Sequence, residues 1–137
     1  MKRSPALTPL SHDHHVALAH ALRLRRAGPA NLTGTVAVFL AFLLGEGCRH
    51  FAQEESVLLP VLDGDAAAAG ERLCAEHARI LCEAEALGER PTVPAAHALG
   101  QLLAAHVRFE ERELFPLLER RLAPGVLERV GSRLAAG

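Results

Sequence analysis

The feature that most constrains this chain is the motif H-x-x-x-E-E-x-x-L-x-P, which occurs twice, with its copies 56 residues apart. The first copy contains His50 and Glu54, and the second contains His106 and Glu110. On a helix, residues four apart lie on the same face, about one turn from each other. Each copy therefore predicts a pair of metal ligands, one imidazole and one carboxylate, on a single helical face.

A shorter repeat lies between the motifs. His14 follows an acidic residue and precedes Leu18 by four positions, and His77 follows an acidic residue and precedes Leu81 by the same spacing. The order along the chain is thus single histidine, motif, single histidine, motif. This order predicts two helix pairs related by an approximate two-fold axis, each contributing two histidines and one glutamate.

Helical periodicity and breakers predict four long helices and a short fifth one. Ser11, Asn31 and Thr92 or Val93 are predicted to begin helices, and Gly88 is predicted to end the third. No segment alternates like a half-buried strand, and the connections are short. The sequence predicts one domain over residues 1–137: an all-α, up-down four-helix bundle with a short C-terminal fifth helix. The predicted helices span residues 11–27, 32–59, 66–87, 94–121 and 126–135.

Length and charge exclude several classes of protein. The chain has 137 residues, half of them hydrophobic, and a net charge of -1, so neither nucleic acid nor an anionic membrane is an expected partner. Its longest uncharged run, residues 27–45, contains Gly, Pro, Asn and Thr and is expected to be too polar to span a bilayer. Three cysteines without a C-x-x-C pair, and no signal-peptide pattern, favour a cytoplasmic protein. The sequence leaves a monomer and a homodimer both open.

The repeated residues together predict a dinuclear metal site. Each ion would take two histidines, and both glutamates would bridge the ions, beside an oxo or hydroxo group and positions for a small molecule. Mixed nitrogen and oxygen ligands favour iron or manganese over copper, with zinc as an alternative. Apolar residues flank both motifs, and burying a carboxylate among them is costly without a cation. The predicted ligands are His14, His50, Glu54, His77, His106 and Glu110.

Which residue of the first helix would bind metal is left open, because this helix contains four histidines. The match to His77 favours His14. His15 remains an alternative, since it shares an apolar stripe with leucines of the same helix. His12 and His20 are expected at the surface or outside the ligand set.

Four further acidic residues neighbour the predicted ligands. Asp13 and Glu76 could orient a ligand histidine, because metal-bound histidines usually donate their second N–H to an acceptor. Glu55 and Glu111 follow the motif glutamates and point about a quarter turn away. These two are expected to lie at the surface or to form hydrogen bonds outside the ligand set.

Four segments of the chain resemble the hemerythrin-like, or HHE cation-binding, domains, over about residues 7–122. The resemblance implies a four-helix bundle that holds a non-haem di-iron centre and binds or senses dioxygen, peroxide or nitric oxide, in iron or oxidative-stress homeostasis. The segments are S-H-D-H-H-V-A-L, H-F-A-Q-E-E-S-V-L-L-P, A-E-H-A-R-I-L and H-V-R-F-E-E-R-E-L-F-P.

The chain departs from the oxygen-carrying hemerythrins at two positions. Those proteins have a second histidine one turn after the third-helix histidine, where this chain has Leu81, and an aspartate where it has Glu110. The ligand set is more similar to bacterial and sensor-type relatives, so reversible oxygen transport is not expected.

The sequence thus favours a metal- and oxygen-binding protein over an enzyme. No nucleotide-binding loop, Ser/His/Asp set or cysteine nucleophile points to another catalytic class. Two alternatives remain at the same residues: a di-iron oxidase or peroxidase, and a zinc-binding structural or interaction bundle.

Overall fold

The computed structural model describes residues 2–137, and within that range it contains helices and no strand. Apolar residues at helical spacing and the scarcity of β-branched runs account for this content. The α-helices are α1 Thr8–Arg25, α2 Leu32–Phe42, α3 Cys48–Leu58, α4 Ala67–Glu89, α5 Val93–Phe109, α6 Phe115–Arg121 and α7 Pro124–Ala136.

Two π-helical turns join helices into longer rods. The turn Leu43–Gly47 joins α2 to α3 in a first rod, residues 32–58, and the turn Glu110–Leu114 joins α5 to α6 in a second rod, residues 93–121. Short 3₁₀ turns, Leu59–Val61 and Gly64–Ala66, lead from the first rod to α4. The predicted helical bundle with a short C-terminal helix is confirmed.

The bundle has two hydrophobic cores, one on either side of the histidine motifs. On α1, His14 lies between Leu10, which belongs to one core, and Ala17, which belongs to the other. The Phe39 core includes Ala17, Leu24, Phe39, Ile80, Leu99 and Leu103. The Phe115 core includes Leu10, Leu58, Leu73, Leu114, Phe115 and Leu118.

The start of α1 differs from the sequence prediction. The helix begins at Thr8 with a proline in its first turn, a position for which the fixed φ of proline is preorganised. Ser11 therefore lies inside the helix rather than capping it, and its hydroxyl donates to Glu111 at 2.7 Å.

Other helix ends follow their local chemistry. Thr92, one of the two residues predicted to begin α5, caps it and accepts from the Ala95 N–H at 3.1 Å. Asn31 occupies the N-cap position of α2, but its side chain instead accepts from the Gly28 N–H at 2.8 Å. Gly88 does not end α4, which continues to Glu89, and α7 already begins at Pro124.

The helical segment Leu32–Val61 is apolar over much of its length. By length and composition alone, Leu32–Val61 is apolar enough to cross a membrane, in contrast to the sequence expectation for residues 27–45. Core helices of soluble bundles pass the same test. This segment also carries buried His50 and Glu54 on its inner face, as a bundle helix would.

Candidate metal centre

The six residues singled out by the repeats converge at the centre of the bundle. All six are buried, and the two glutamates are 0% exposed. The single histidines come from α1 and α4, and the motif residues come from the two rods. The helical spacing of each motif therefore does what the sequence predicts, since it aims the imidazole and the carboxylate of one rod at the same point.

The six residues form two overlapping groups that could each hold a cation. Glu54 and Glu110 belong to both groups. Within each group, one ligand atom of every member lies within 4.8 Å of the others. The first group is His14, His50, Glu54 and Glu110, and the second is Glu54, His77, His106 and Glu110.

All four imidazoles present the same nitrogen to the carboxylates. The His14 and His77 Nε2 atoms each lie 3.0 Å from a glutamate oxygen, of Glu110 and Glu54 respectively. The His50 Nε2 lies 3.2 Å from Glu54, and the His106 Nε2 lies 2.5 Å from Glu110. The Nε2 atoms and carboxylate oxygens thus surround one compact space with coordinating lone pairs.

The opposite ring nitrogen of every imidazole meets a second, outer carboxylate. Because each Nδ1–H donates outward, the tautomer that leaves Nε2 free for a cation is selected. The Nδ1-to-carboxylate distances are 2.6 Å for His14 to Glu111, 2.9 Å for His50 to Asp13, 2.7 Å for His77 to Glu55, and 2.7 Å for His106 to Glu76.

The outer carboxylates repeat the two-fold order of the sequence. The acid that precedes each single histidine binds the motif histidine of its own half, as Asp13 binds His50. The acid that follows each motif glutamate binds the single histidine of the other half, as Glu111 binds His14. Sequence reasoning expected the first pair to orient ligand histidines but did not identify which histidine each acid would meet.

Two arginines neutralise part of this outer charge, and sequence reasoning missed both. Arg3 lies 3.2 Å from Glu111 and 2.8 Å from Glu119. Arg72 lies 2.7 Å from Glu76, four residues later on α4. The spacing of the second pair was a usable signal, whereas the first joins distant segments that spacing does not connect.

The pKa values of two histidines in this cluster lie well above the ordinary value. Burial alone would lower the pKa of His14, but hydrogen bonds with Glu110 and Glu111 outweigh it and raise the pKa to about 9. Burial likewise opposes the rise at His106, where hydrogen bonds with Glu110 and Glu76 raise the pKa to about 9. Positive charge on His14 and His106 is therefore favoured where no cation is bound, whereas burial lowers the pKa of His50 despite the nearby Glu110 and Asp13.

The pKa values of the two central glutamates are shifted in opposite directions. Burial, followed by the charge of Glu110, raises the pKa of Glu54 well above its usual range. Burial would also raise the pKa of Glu110, but hydrogen bonds with Glu54, His106 and His14 hold it well below its usual range. One glutamate thus retains a proton beside the other, as two buried carboxylates must when only protons supply positive charge.

Three polar atoms at the centre are close to one another without forming aligned hydrogen bonds, as around a shared cation. Glu54 Oε2, Glu110 Oε2 and His106 Nε2 are buried and form no hydrogen bond of good geometry among residues 2–137, although the last two lie 2.5 Å apart. Such atoms are costly to bury and in native proteins call for an explanation. Because all three belong to the two overlapping groups, cation binding would satisfy them together.

The remaining histidines of α1 lie outside the cluster. His15, the alternative to His14, is exposed, as is His12. His20, expected at the surface or outside the ligand set, lies outside the two groups but is buried, and its ring stacks on Phe42 with the ring centroids 4.2 Å apart. Burial, followed by the charge of Arg23, lowers its pKa, so a neutral ring packs against the aromatic core.

Comparison with known proteins gives one match. The family model described as the hemerythrin HHE cation binding domain matches residues 7–118. No curated protein and no solved structure matches significantly. The matched range contains all six residues of the two groups and ends before α7.

Proposed function

The chain belongs to the hemerythrin HHE cation-binding domain family, and from that premise we propose that it holds two iron ions that bind a small molecule. The observation that carries the proposal is the pair of buried histidine and glutamate groups sharing Glu54 and Glu110. A structural bundle would have no physical reason to bury these polar groups with three of their atoms outside any well-aligned hydrogen bond.

Each of the two groups would hold one ion. His14 and His50 would hold one ion, and His77 and His106 would hold the other. Each glutamate lies in both groups, so each would contribute one carboxylate oxygen to each ion. The structure contains no further histidine within these groups in the part of the chain that it describes.

The outer carboxylates favour iron over zinc. Together with Glu54 and Glu110 they place six carboxylates around the proposed ions, partly balanced by Arg3 and Arg72. This negative field stabilises cations of higher charge, and iron reaches the trivalent state whereas zinc does not. Hard oxygen ligands also suit iron and manganese.

If held by these residues, a reduced iron pair would supply electrons to bound dioxygen, peroxide or nitric oxide. The protein contributes a buried site, four oriented imidazoles and an environment that excludes bulk water. We therefore propose binding or sensing of these molecules, in the cytoplasm, by a monomer or homodimer without a nucleic-acid or membrane partner.

The first prediction concerns metal content. Protein expressed with iron and purified without chelator should contain about two irons per chain and absorb in the near ultraviolet. Replacing a motif histidine, as in His50→Ala or His106→Ala, should reduce iron below that level, because each removes a nitrogen from one group. Elemental analysis with absorbance spectroscopy measures both quantities.

The matched control for this prediction is His15→Ala, because His15 is an exposed neighbour of His14. Its iron content should equal that of the unmodified protein. Stoichiometric zinc with no absorbance after anaerobic iron loading would replace the di-iron proposal with a zinc-binding bundle. Unchanged metal content in both motif variants would refute histidine ligation altogether.

A further inference from the structure

One side of the first rod is apolar and is not covered by any other part of residues 2–137. The stretch 27–45 contains no charged residue, yet only 22% of the most apolar 18 residues within Leu32–Val61 are buried. A helix that is apolar on all sides is normally covered on all sides, and a contiguous exposed apolar surface marks an interaction site. The exposed residues, together called the outer rod face, are Ala37, Val38, Ala41, Leu44 and Gly45.

Two large side chains account for most of the apolar surface on this face. Val38 is 53% exposed and Leu44 is 75% exposed. Each is accompanied by small residues, since alanine or glycine occupies every other position of the outer rod face. Side chains this far exposed project from the rod, and the small residues beside them leave room for the backbone or side chain of a partner.

The order of large and small residues makes the outer rod face complementary to a reversed copy of itself. Val38 and Gly45 are seven positions apart, as are Leu44 and Ala37, so each pair lies along one stripe of the rod. When two such rods pack antiparallel, each stripe meets its own copy in reverse. Val38 then meets Gly45 of the second copy, and Leu44 meets Ala37. Ala41, midway between the ends of the stripes, would meet its own copy on the two-fold axis.

Charged residues beside the face have the same complementarity. Arg23 of α1 borders one groove together with Val38, and Glu46 follows Gly45 and borders another groove together with Val16 of α1. Both charges therefore lie on the α1 side of the rod. Because Val38 would meet Gly45 of the second copy, Arg23 would meet Glu46 of the second copy, and the two-fold axis would repeat this ion pair.

These two charges are available for such a pair. Arg23 and Glu46 are exposed, and neither takes part in a salt bridge among residues 2–137. Opposite charges at the rim favour a second copy of the chain over a bilayer as the partner. An anionic membrane attracts apolar helical faces bordered by basic residues, whereas Glu46 next to the face would be repelled from it.

We propose that the outer rod face is the interface of a homodimer, in which two first rods pack antiparallel about a two-fold axis at Ala41. The inference goes beyond the function proposed above and does not rest on it, because no residue of the face belongs to the two histidine and glutamate groups. From Ala37 to Gly45 the face is only about 12 Å long. Its area lies at the low end for specific interfaces, so the dissociation constant is expected to be on the order of micromolar.

The test is sedimentation velocity of the protein as purified, over a range from about 1 to 300 μM that brackets such a constant. The unmodified chain should change from monomer to dimer across this range. Ala41→Glu should weaken dimerisation at least about a hundredfold, because it sets two carboxylates against each other on the axis. Both a chain that stays monomeric and a dimer that tolerates Ala41→Glu would overturn the proposal.

The matched control is Ala86→Glu, which makes the same change at an exposed helical position of α4 outside the face. It should dimerise like the unmodified chain. Metal content and helical circular dichroism should be the same in both variants, since each alanine is exposed. Equal loss of dimer in the two variants would show a general effect of charge and would overturn the assigned interface.

A charge exchange tests the antiparallel arrangement. Arg23→Glu alone and Glu46→Arg alone should each weaken the dimer about tenfold, because each places like charges opposite each other. The double variant restores opposite charges between the copies and should dimerise within about threefold of the unmodified chain. Additive losses in the double variant would refute the pairing of Arg23 with Glu46.

Vesicle flotation separates the dimer from a membrane-bound form. The protein should not float with vesicles of phosphatidylcholine, with or without anionic phosphatidylglycerol. A chain that floats with either vesicle and loses this binding in Ala41→Glu, but not in Ala86→Glu, would assign the outer rod face to a membrane and overturn the homodimer.

Discussion

Each ligand histidine is held between two carboxylates, one at each ring nitrogen. The inner carboxylate shares the proposed cation, and the outer one fixes the tautomer and the ring angle. The outer acids therefore influence cation affinity without touching the cation. Their contribution can be measured one residue at a time, because the four bonds are separate.

Glu55 gives the clearest test of an outer carboxylate. Its Oε2 accepts from the His77 Nδ1–H at 2.7 Å, and it has no arginine partner in residues 2–137. Glu55→Gln should weaken metal binding about 10–100-fold, the usual effect of losing such a partner. Competition with a chelator measures the affinity. The control is Glu128→Gln on the exposed side of α7, and equal affinities for the two variants would contradict the role assigned to Glu55.

Metal uptake should depend on pH over an unusual range. Below about pH 9, His14 and His106 are protonated in the metal-free protein and must each lose a proton before Nε2 can bind a cation. Apparent affinity should therefore rise with pH beyond the ordinary histidine pKa of about 6.5 and level off near 9. Proton release during zinc titration in weak buffer at pH 7.5 measures this, and its absence would contradict the raised pKa values.

The same pKa values give the stability of the metal-free protein the opposite trend. A pKa raised in the folded state contributes stability that is complete below the unfolded value of about 6.5. That contribution is lost as pH rises towards about 9. The melting temperature of chelator-treated protein should fall across this interval if His14 and His106 dominate.

At the scale of the helices, α5 packs against the backbone of α1 at Gly100. A side-chain carbon on Gly100 would lie 2.7 Å from the Ala21 carbonyl oxygen and 3.1 Å from the Arg25 backbone nitrogen. Backbone atoms cannot rotate away as side chains do, so the helices would have to separate. The glycine thus fixes the distance between the elements that bring His14 and His106 together.

Gly100→Ala should destabilise the protein by about 1–3 kcal/mol through this overpacking. Gly34→Ala is the matched control, because Gly34 is helical and exposed and has no neighbouring heavy atom within 4 Å. That change should instead stabilise by about 0.5–1 kcal/mol through helix propensity. Denaturant unfolding of both variants measures the difference, and a neutral or stabilising Gly100→Ala would contradict the close packing.

The two π turns show where sequence patterns stop being informative about helices. No helix breaker of proline type falls within Leu43–Gly47 or Glu110–Leu114, and the spacing of the histidine and glutamate motifs predicts uninterrupted helices there. Whether a turn widens depends on packing against the neighbouring helices, which spacing does not encode. The second turn begins at Glu110, so this widening acts directly on a residue of the proposed centre.

At the scale of the whole molecule, the repeat predicted the bundle and the set of converging side chains. Two copies of one pattern restrict the possible arrangements far more than a single copy does. The choice between His14 and His15 was open because neighbouring residues point about 100° apart around a helix. Apolar residues of the same helix lie on both of these faces, so burial did not distinguish them. The ion pair between Arg3 and Glu111 was not predictable, since it joins residues far apart in the chain.

Phe51 follows one motif histidine and Val107 follows the other, and this difference between the halves bears on how such a chain could have arisen. Two identical helical hairpins, associated as a dimer, could assemble the same pair of histidine and glutamate groups. In that dimer every substitution would occur twice, once on each side of the centre. Covalent linkage of the halves lets each copy of the motif change alone, so one polypeptide can keep a symmetric set of buried histidines and glutamates while the residues around them come to differ.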